Sequence, residues 1–211
     1  MTKHFHIPIF AEEGLDTTVY KTGGDRTLTQ LHHRSNREVT CLENAFIDWL
    51  SQLCGKENIE RFKKESAEDY TDLIRRLESE LRSSFASKPT NIFRAPNSIL
   101  KYEHTIKDRI VQMNLSADVK LRPGKIQLSH HISRSWFQVP LYKAIRYIYA
   151  VLNQPSMHDV NNILIVGDLV EYSILREAMK AAFSDKTVVI PHEQSVAVLK
   201  GAVLFGHQLS K

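Results

Sequence analysis

A glycine and an aspartate follow the most apolar run of this chain, and their position makes them candidate ligand contacts. The run ends at Val166 within "NNILIVGDLVEYSILREAMKAAF", Gly167 and Asp168 come next, and a helical pattern covers 173–183. Glycine allows another backbone or a ligand to approach closely, and α/β proteins bind ligands beyond the carboxyl ends of their strands. We therefore expect Gly167 and Asp168 to face a binding site.

The elements around this pair predict an α/β layer. Strand patterns over 163–166 and 187–190 alternate with helical patterns over 173–183 and 193–205, which is typical of parallel strands. His192 follows the second strand, where it either contacts a ligand or caps the next helix.

The remaining patterns predict strands near the amino terminus and amphipathic helices after them. Apolar residues at three- and four-residue spacing predict helices over 42–53, 68–85 and 141–152. Short strands are expected at "TNIFRAP" and "KIQLS", and Pro140 is expected at the start of the third helix, where proline is tolerated.

Composition predicts a folded cytoplasmic protein. The 211 residues are 42% hydrophobic and 25% charged, with a formal net charge of +4. Basic residues are interleaved with acidic ones, and no apolar run is long enough to cross a bilayer, so we expect neither a nucleic-acid nor a membrane partner.

Cys41 and Cys54 have no metal-ligand spacing and are expected to be reduced core thiols, and we expect no metal site.

The carboxyl-terminal third carries a resemblance to a known family. "ILIVGDLVEYSILREAMKAAFSDKTVVIPHEQSVAVLKGAVLFGH" resembles the adenosine-binding end of the ATPase domain in the heat shock protein 70 family, most closely its protein 12 branch. "LENAFIDWLSQLCGKENIERFKK" and "LIRRLESELR" are similar to upstream parts of the same domain. The resemblance implies α/β architecture: the second lobe of an actin-like ATPase domain, with a ribonuclease-H-like core and an inserted helical-plus-strand subdomain.

The resemblance also implies a division of the chain. Residues 1–38 would supply the first strands of the core with a degenerate phosphate loop, 39–138 the insertion with an adenine-side helix at 68–85, and 139–211 the rest of the core. The first lobe of the family's domain has no counterpart, so we expect the chain to be a fragment.

Nucleotide contacts follow from the same resemblance. Gly167, Asp168 and Leu169 correspond to the family's adenosine-binding turn, although Asp168 replaces a second glycine and adds negative charge near the phosphates. Glu78 and Arg82 match two positions of the adenine-side helix. They either contact a purine or form an ordinary i,i+4 surface pair.

The phosphate-binding positions depart from the family. Acidic residues stand at two glycine positions in "IFAEEGLDTTVY", and Asn36 and Arg37 replace a second glycine pair. Glycine-rich turns bind phosphates because their backbone N–H groups are unobstructed, and two carboxylates cannot replace them. ATP or ADP with Mg²⁺ is therefore expected to bind weakly or not at all, and we assign no catalytic residue, although the family is ATPase-like.

Two functions remain open at this point. The first is a chaperone-related nucleotide-binding-domain fragment with weak or lost ATP binding. The second is a protein-interaction scaffold that does not depend on nucleotide. Under either function we expect protein partners or clients, which the sequence does not identify.

Overall fold

The computed structural model is a mixed α/β protein divided into two compact units. It describes residues 3–11, 14–23, 27–37, 42–84, 90–192, 196–197, 199–201 and 203. The first unit comprises Met1–Cys41 and Val139–Lys211, and the second comprises Leu42–Gln138.

The first unit contains a five-stranded mixed sheet. Its order is β3-β2-β1-β7-β8, in which β1, β2 and β3 are antiparallel neighbours and β7 is parallel to both β1 and β8. The parallel pairing of the two carboxyl-terminal strands is confirmed. The strands are β1 Lys3–Ala11, β2 Gly14–Thr22, β3 Leu28–Asn36, β7 Asn162–Leu164 and β8 Thr187–Val189.

Alternation along β1 determines which side chains are buried. His6, Pro8 and Phe10 are buried, whereas the intervening residues are partly exposed, because successive strand residues point to opposite faces. The long strand β3 differs, since most of its side chains are exposed and it forms an edge of the sheet.

Helices α6 and α7 belong wholly or partly to this unit. They span His130–Leu152 and Ser173–Ala182, and single 3₁₀ turns cover Pro155–Met157 and Asp168–Glu171. The predicted start of α6 is wrong: the helix begins ten residues before Pro140, which is internal. Its residues through Gln138 belong to the second unit and those from Val139 to the first.

Among its described residues, the second unit contains five complete helices, the first part of α6 and a three-stranded antiparallel sheet of order β4-β6-β5. Helix α2 and strand β5 were absent from the sequence prediction. The elements are α1 Leu42–Cys54, α2 Lys56–Glu65, α3 Ala67–Ser84, β4 Thr90–Arg94, α4 Asn97–Leu100, α5 Glu103–Gln112, β5 Val119–Arg122 and β6 Lys125–Ser129.

Four aromatic rings occupy the centre of the second unit. Trp136 packs edge-on against Phe46 at 5.2 Å between ring centroids, and it lies 5.4 Å from Trp49 and 6.1 Å from Phe93. All four side chains are at least 92% buried. Trp136 is therefore a core residue of this unit.

The cysteine prediction is confirmed where the structure describes it. Cys54 is buried and free, and burial raises the pKa of its thiol to about 12, which keeps it protonated and unreactive. Cys41 lies outside the described residues. No helix in the described ranges combines the length and apolar character needed to cross a membrane.

Candidate functional site

Residues from several loops of the first unit meet at one edge of its sheet. Strands β1, β7 and β8 are parallel, so their carboxyl ends lie at the same edge, where ligands of α/β proteins bind. Gly167, Asp168 and Leu169 follow β7 at this edge, and the exposed His192 follows β8.

Gly167 has a structural reason to be glycine. Its φ of 112° and ψ of 171° are in a region that only glycine adopts readily. A Cβ atom at this position would lie 2.1 Å from the carbonyl oxygen of Phe10. The missing side chain therefore lets the turn pack against the backbone of β1, with Phe10 N–H donating to the Val166 carbonyl at 2.9 Å.

A side chain from α7 holds the turn that follows. Arg176 Nη1 donates hydrogen bonds to the carbonyl oxygens of Val170 at 2.9 Å and Glu171 at 2.6 Å. Leu169 is partly buried in this turn, and the side chain of Asp168 lies outside the description. Sequence reasoning missed both Arg176 and the contact with Phe10, because neither belongs to a local motif.

Strands β1 and β2 are close in sequence at the position where the resemblance predicts a degenerate phosphate loop. Ala11 pairs with Gly14 across β1 and β2, so only two residues connect the strands. A Cβ atom on Gly14 would lie 2.5 Å from the Asn36 carbonyl oxygen and 3.0 Å from the Arg37 Cα. The two segments that the resemblance assigns to phosphate binding are therefore adjacent, and glycine again serves close backbone packing.

The other two predicted contacts belong to the second unit. Glu78 and Arg82 both lie on α3. The Glu78 side chain is partly buried, whereas the Arg82 side chain lies outside the description. The structure thus brings Gly167, Asp168 and Leu169 together on one turn and places His192 at the same sheet edge, while the α3 pair stays in a separate unit.

A buried histidine on β1 has a pKa far below its ordinary value. His6 is fully buried, and neither of its ring nitrogens has a hydrogen-bond partner among the described residues. Val19 pairs with both His6 and His32 in the sheet. Burial, and secondarily the nearby His32, lower the pKa of His6 to about 4. His6 is therefore neutral at neutral pH.

Acidification should destabilise the chain through His6. The unfolded chain binds a proton near pH 6.5, whereas the folded chain does so only near pH 4. The stability associated with neutral His6 is thus complete above about pH 6.5 and is lost as pH falls toward about 4, for a total of about 3 kcal/mol. Urea unfolding at a series of pH values measures this slope.

A matched pair of variants isolates this effect. His6→Leu should flatten the slope between about pH 6.5 and 4, because it removes the group whose pKa differs between the two states. His158→Gln changes an exposed histidine, and it should leave the slope intact. An unchanged slope in His6→Leu would assign the acid sensitivity to other groups.

Within the described ranges, no three His, Cys, Asp or Glu side chains are grouped so that they could hold a metal ion. The features described at this edge are mainly backbone contacts. Gly14 and Gly167 each pack closely against a neighbouring segment, and the Arg176 guanidinium group stabilises the turn after Gly167.

The chain is similar to proteins of the heat shock 70 kDa class, although no protein-family model matches it. The particular relatives are heat shock 70 kDa protein 12A of Mus musculus and of Homo sapiens, each 27% identical over 165 residues, which is 74% of this chain and 24% of the relative. Heat shock 70 kDa protein 12B of Homo sapiens is 25% identical over 170 residues, covering 77% of this chain and 25% of the relative.

These relatives confirm the resemblance to the protein 12 branch. The chain spans about a quarter of the length of the curated relatives it matches.

Proposed function

We propose that this chain forms the second lobe of an actin-like nucleotide-binding domain from a chaperone-related protein, with ATP binding weakened or lost in the isolated chain. The observation that carries the proposal is the strand order β3-β2-β1-β7-β8 with its glycine turns at one edge. An antiparallel three-stranded meander extended by two parallel strands is the arrangement expected of a ribonuclease-H-like core.

The geometry of the edge supports the loss of phosphate affinity. Phosphate loops need several consecutive N–H groups that point at the ligand. Here the β1–β2 connection has only two residues between the paired Ala11 and Gly14, and both are glutamates. The space beside Gly167 that a side chain would fill is occupied by the Phe10 backbone.

Titration calorimetry with ATP and MgCl₂ tests this function. We expect a dissociation constant above about 1 mM, which corresponds to less than about 4 kcal/mol of binding free energy, and no turnover. Micromolar affinity or hydrolysis would contradict the loss of the phosphate-binding turns.

The variant Asp168→Gly supplies the matched comparison. It restores the family's second glycine and removes one negative charge. If this edge retains an adenosine-binding role, Asp168→Gly should bind ADP measurably more tightly than the parent chain.

A nucleotide-independent scaffold is the second candidate. The backbone packing at Gly14 and Gly167 favours it, because both glycines already have a role in a fold without ligand. Thermal unfolding with adenosine, ADP and ATP separates the candidates. A ligand that binds only the folded chain raises the melting temperature by mass action, so any such rise excludes the scaffold and no rise at millimolar nucleotide supports it.

A further inference from the structure

The outer face of the three-stranded sheet in the second unit carries a row of cations. Arg94 on β4 lies opposite Lys125 on β6, and Lys125 lies opposite Arg122 on β5. Paired residues of antiparallel strands project to the same face with Cβ atoms about 5 Å apart. Lys120, two residues before Arg122, shares that face, and all four side chains are exposed.

Among the described residues, the cations of this row are not directly paired with carboxylates, although Glu80 lies beside Arg94 and Lys125 in the neighbouring groove. Within the described part of the chain, none of the four cations forms an ion pair. The other residues that pair across the strands on this face are uncharged; they are Thr90, Ile92, Gln127 and Ser129. Asp118 is an acidic residue at the end of the sheet away from Lys125. Its carboxylate accepts a hydrogen bond from the Ser129 hydroxyl group.

This arrangement costs stability. Like charges directly opposite each other on neighbouring strands repel, whereas opposite charges attract. Lys125 has such a neighbour on each side. A ligand that brings negative charge would relieve both repulsions.

An open groove runs beside the row along β4. Its volume is about 320 Å³, and its lining includes Ile92, Arg94 and Lys125 together with Arg76 and Glu80 of α3. Arg76 is already paired, because its Nε lies 2.7 Å from an Asp72 carboxylate oxygen. The side chain of Ile92 is half exposed, so the groove offers an apolar contact next to unpaired cations.

We infer that the cationic row and its groove bind an acidic segment of a protein partner. Carboxylates pair with Arg94, Lys125 and Arg122, and an apolar side chain of the segment covers Ile92. The face offers single-stranded nucleic acid no aromatic platform for base stacking, because Phe93 points into the core and is 95% buried. This inference does not depend on the proposed nucleotide-related function.

Fluorescence anisotropy of the full chain with a labelled synthetic peptide tests the inference. The probe is a peptide of about twelve residues, two-thirds glutamate and one-third leucine. Lys125→Glu and Arg94→Glu should each weaken its binding about tenfold or more, and added salt should weaken binding to the parent chain.

Two features of the design separate binding from folding and from net charge. Lys125→Glu should raise the melting temperature, since it converts two repulsive cross-strand neighbours into attractive ones; lost binding therefore cannot be attributed to unfolding. Lys64→Glu makes the same charge change at an exposed position of α2, and binding should be unaffected.

Three outcomes would overturn the inference. One is the absence of binding at a peptide concentration of about 1 mM, because the binding free energy would then be weaker than about 4 kcal/mol. Another is an equal loss in Lys64→Glu, which would indicate a response to net charge alone. The third is tighter binding of oligouridine or phosphatidylserine vesicles through the same residues, which would assign the row to nucleic acid or lipid.

Discussion

Gly167→Ala should lower the free energy of unfolding by about 3 to 5 kcal/mol, a loss at the upper end for single substitutions. A backbone φ of 112° with ψ of 171° is strained for any residue with a Cβ. The new methyl group would also lie 2.1 Å from the Phe10 carbonyl oxygen, which belongs to a strand of the sheet and cannot move without breaking its ladder. Chemical unfolding followed by far-ultraviolet circular dichroism measures the loss.

Gly124→Ala is the control for this substitution. Gly124 also has a positive φ, 68°, but a Cβ atom there would meet nothing within 4 Å. Its cost should be about 1 to 2 kcal/mol, from backbone conformation alone. Equal losses in the two variants would show that the Phe10 contact is unimportant and that backbone conformation alone accounts for the cost.

Trp136→Ala is expected to destabilise the second unit by about 3 to 5 kcal/mol, because it removes a large buried side chain and leaves a cavity. Trp136 is 97% buried and touches three other aromatic rings. The remaining tryptophan, Trp49, belongs to the same cluster, so its fluorescence during urea unfolding reports the loss directly.

The conservative variant Trp136→Phe distinguishes lost packing from a lost hydrogen bond. The Trp136 Nε1 group is buried without a partner among the described residues, so removing that N–H breaks no bond and relieves a desolvation cost. Trp136→Phe should therefore lose much less stability than Trp136→Ala. Similar losses would indicate that the cluster depends on the indole shape and not on apolar contact area.

Local periodicity explains which elements the sequence could predict. Helix α1 has seven buried residues among its thirteen, and they recur at helical spacing. Helix α2 buries only Ile59 and Phe62 among ten residues, so its pattern was too sparse to read. Strand β5 has four residues, which is too short for alternation to be distinctive.

Proline misled the prediction of α6. A proline near the start of an apolar pattern usually marks the first turn, where its missing N–H costs nothing. Pro140 instead lies inside a helix of 23 residues, at the boundary between the two units.

The candidate site depends on contacts that no sequence pattern encodes. The motif around Gly167 predicts a turn that faces a binding site, but the neighbour of this turn, Phe10, is 157 positions away in the chain. The cationic row was hidden in the same way, since Arg94, Lys125 and Arg122 come together only through strand register. Charge scattered along a sequence can therefore be concentrated on a surface.

The exposed border strand β3 bears on how this protein behaves in concentrated solution. No described strand pairs with its outer side, and Leu28 and Leu31 are 64% and 42% exposed. Such borders invite lateral association between copies, and natural sheets discourage it by interrupting their regular hydrogen-bonding pattern. The register shift opposite Val19 and Tyr20, which leaves Leu31 without a counterpart on β2, is an interruption of this kind and limits how far a second copy could extend the sheet.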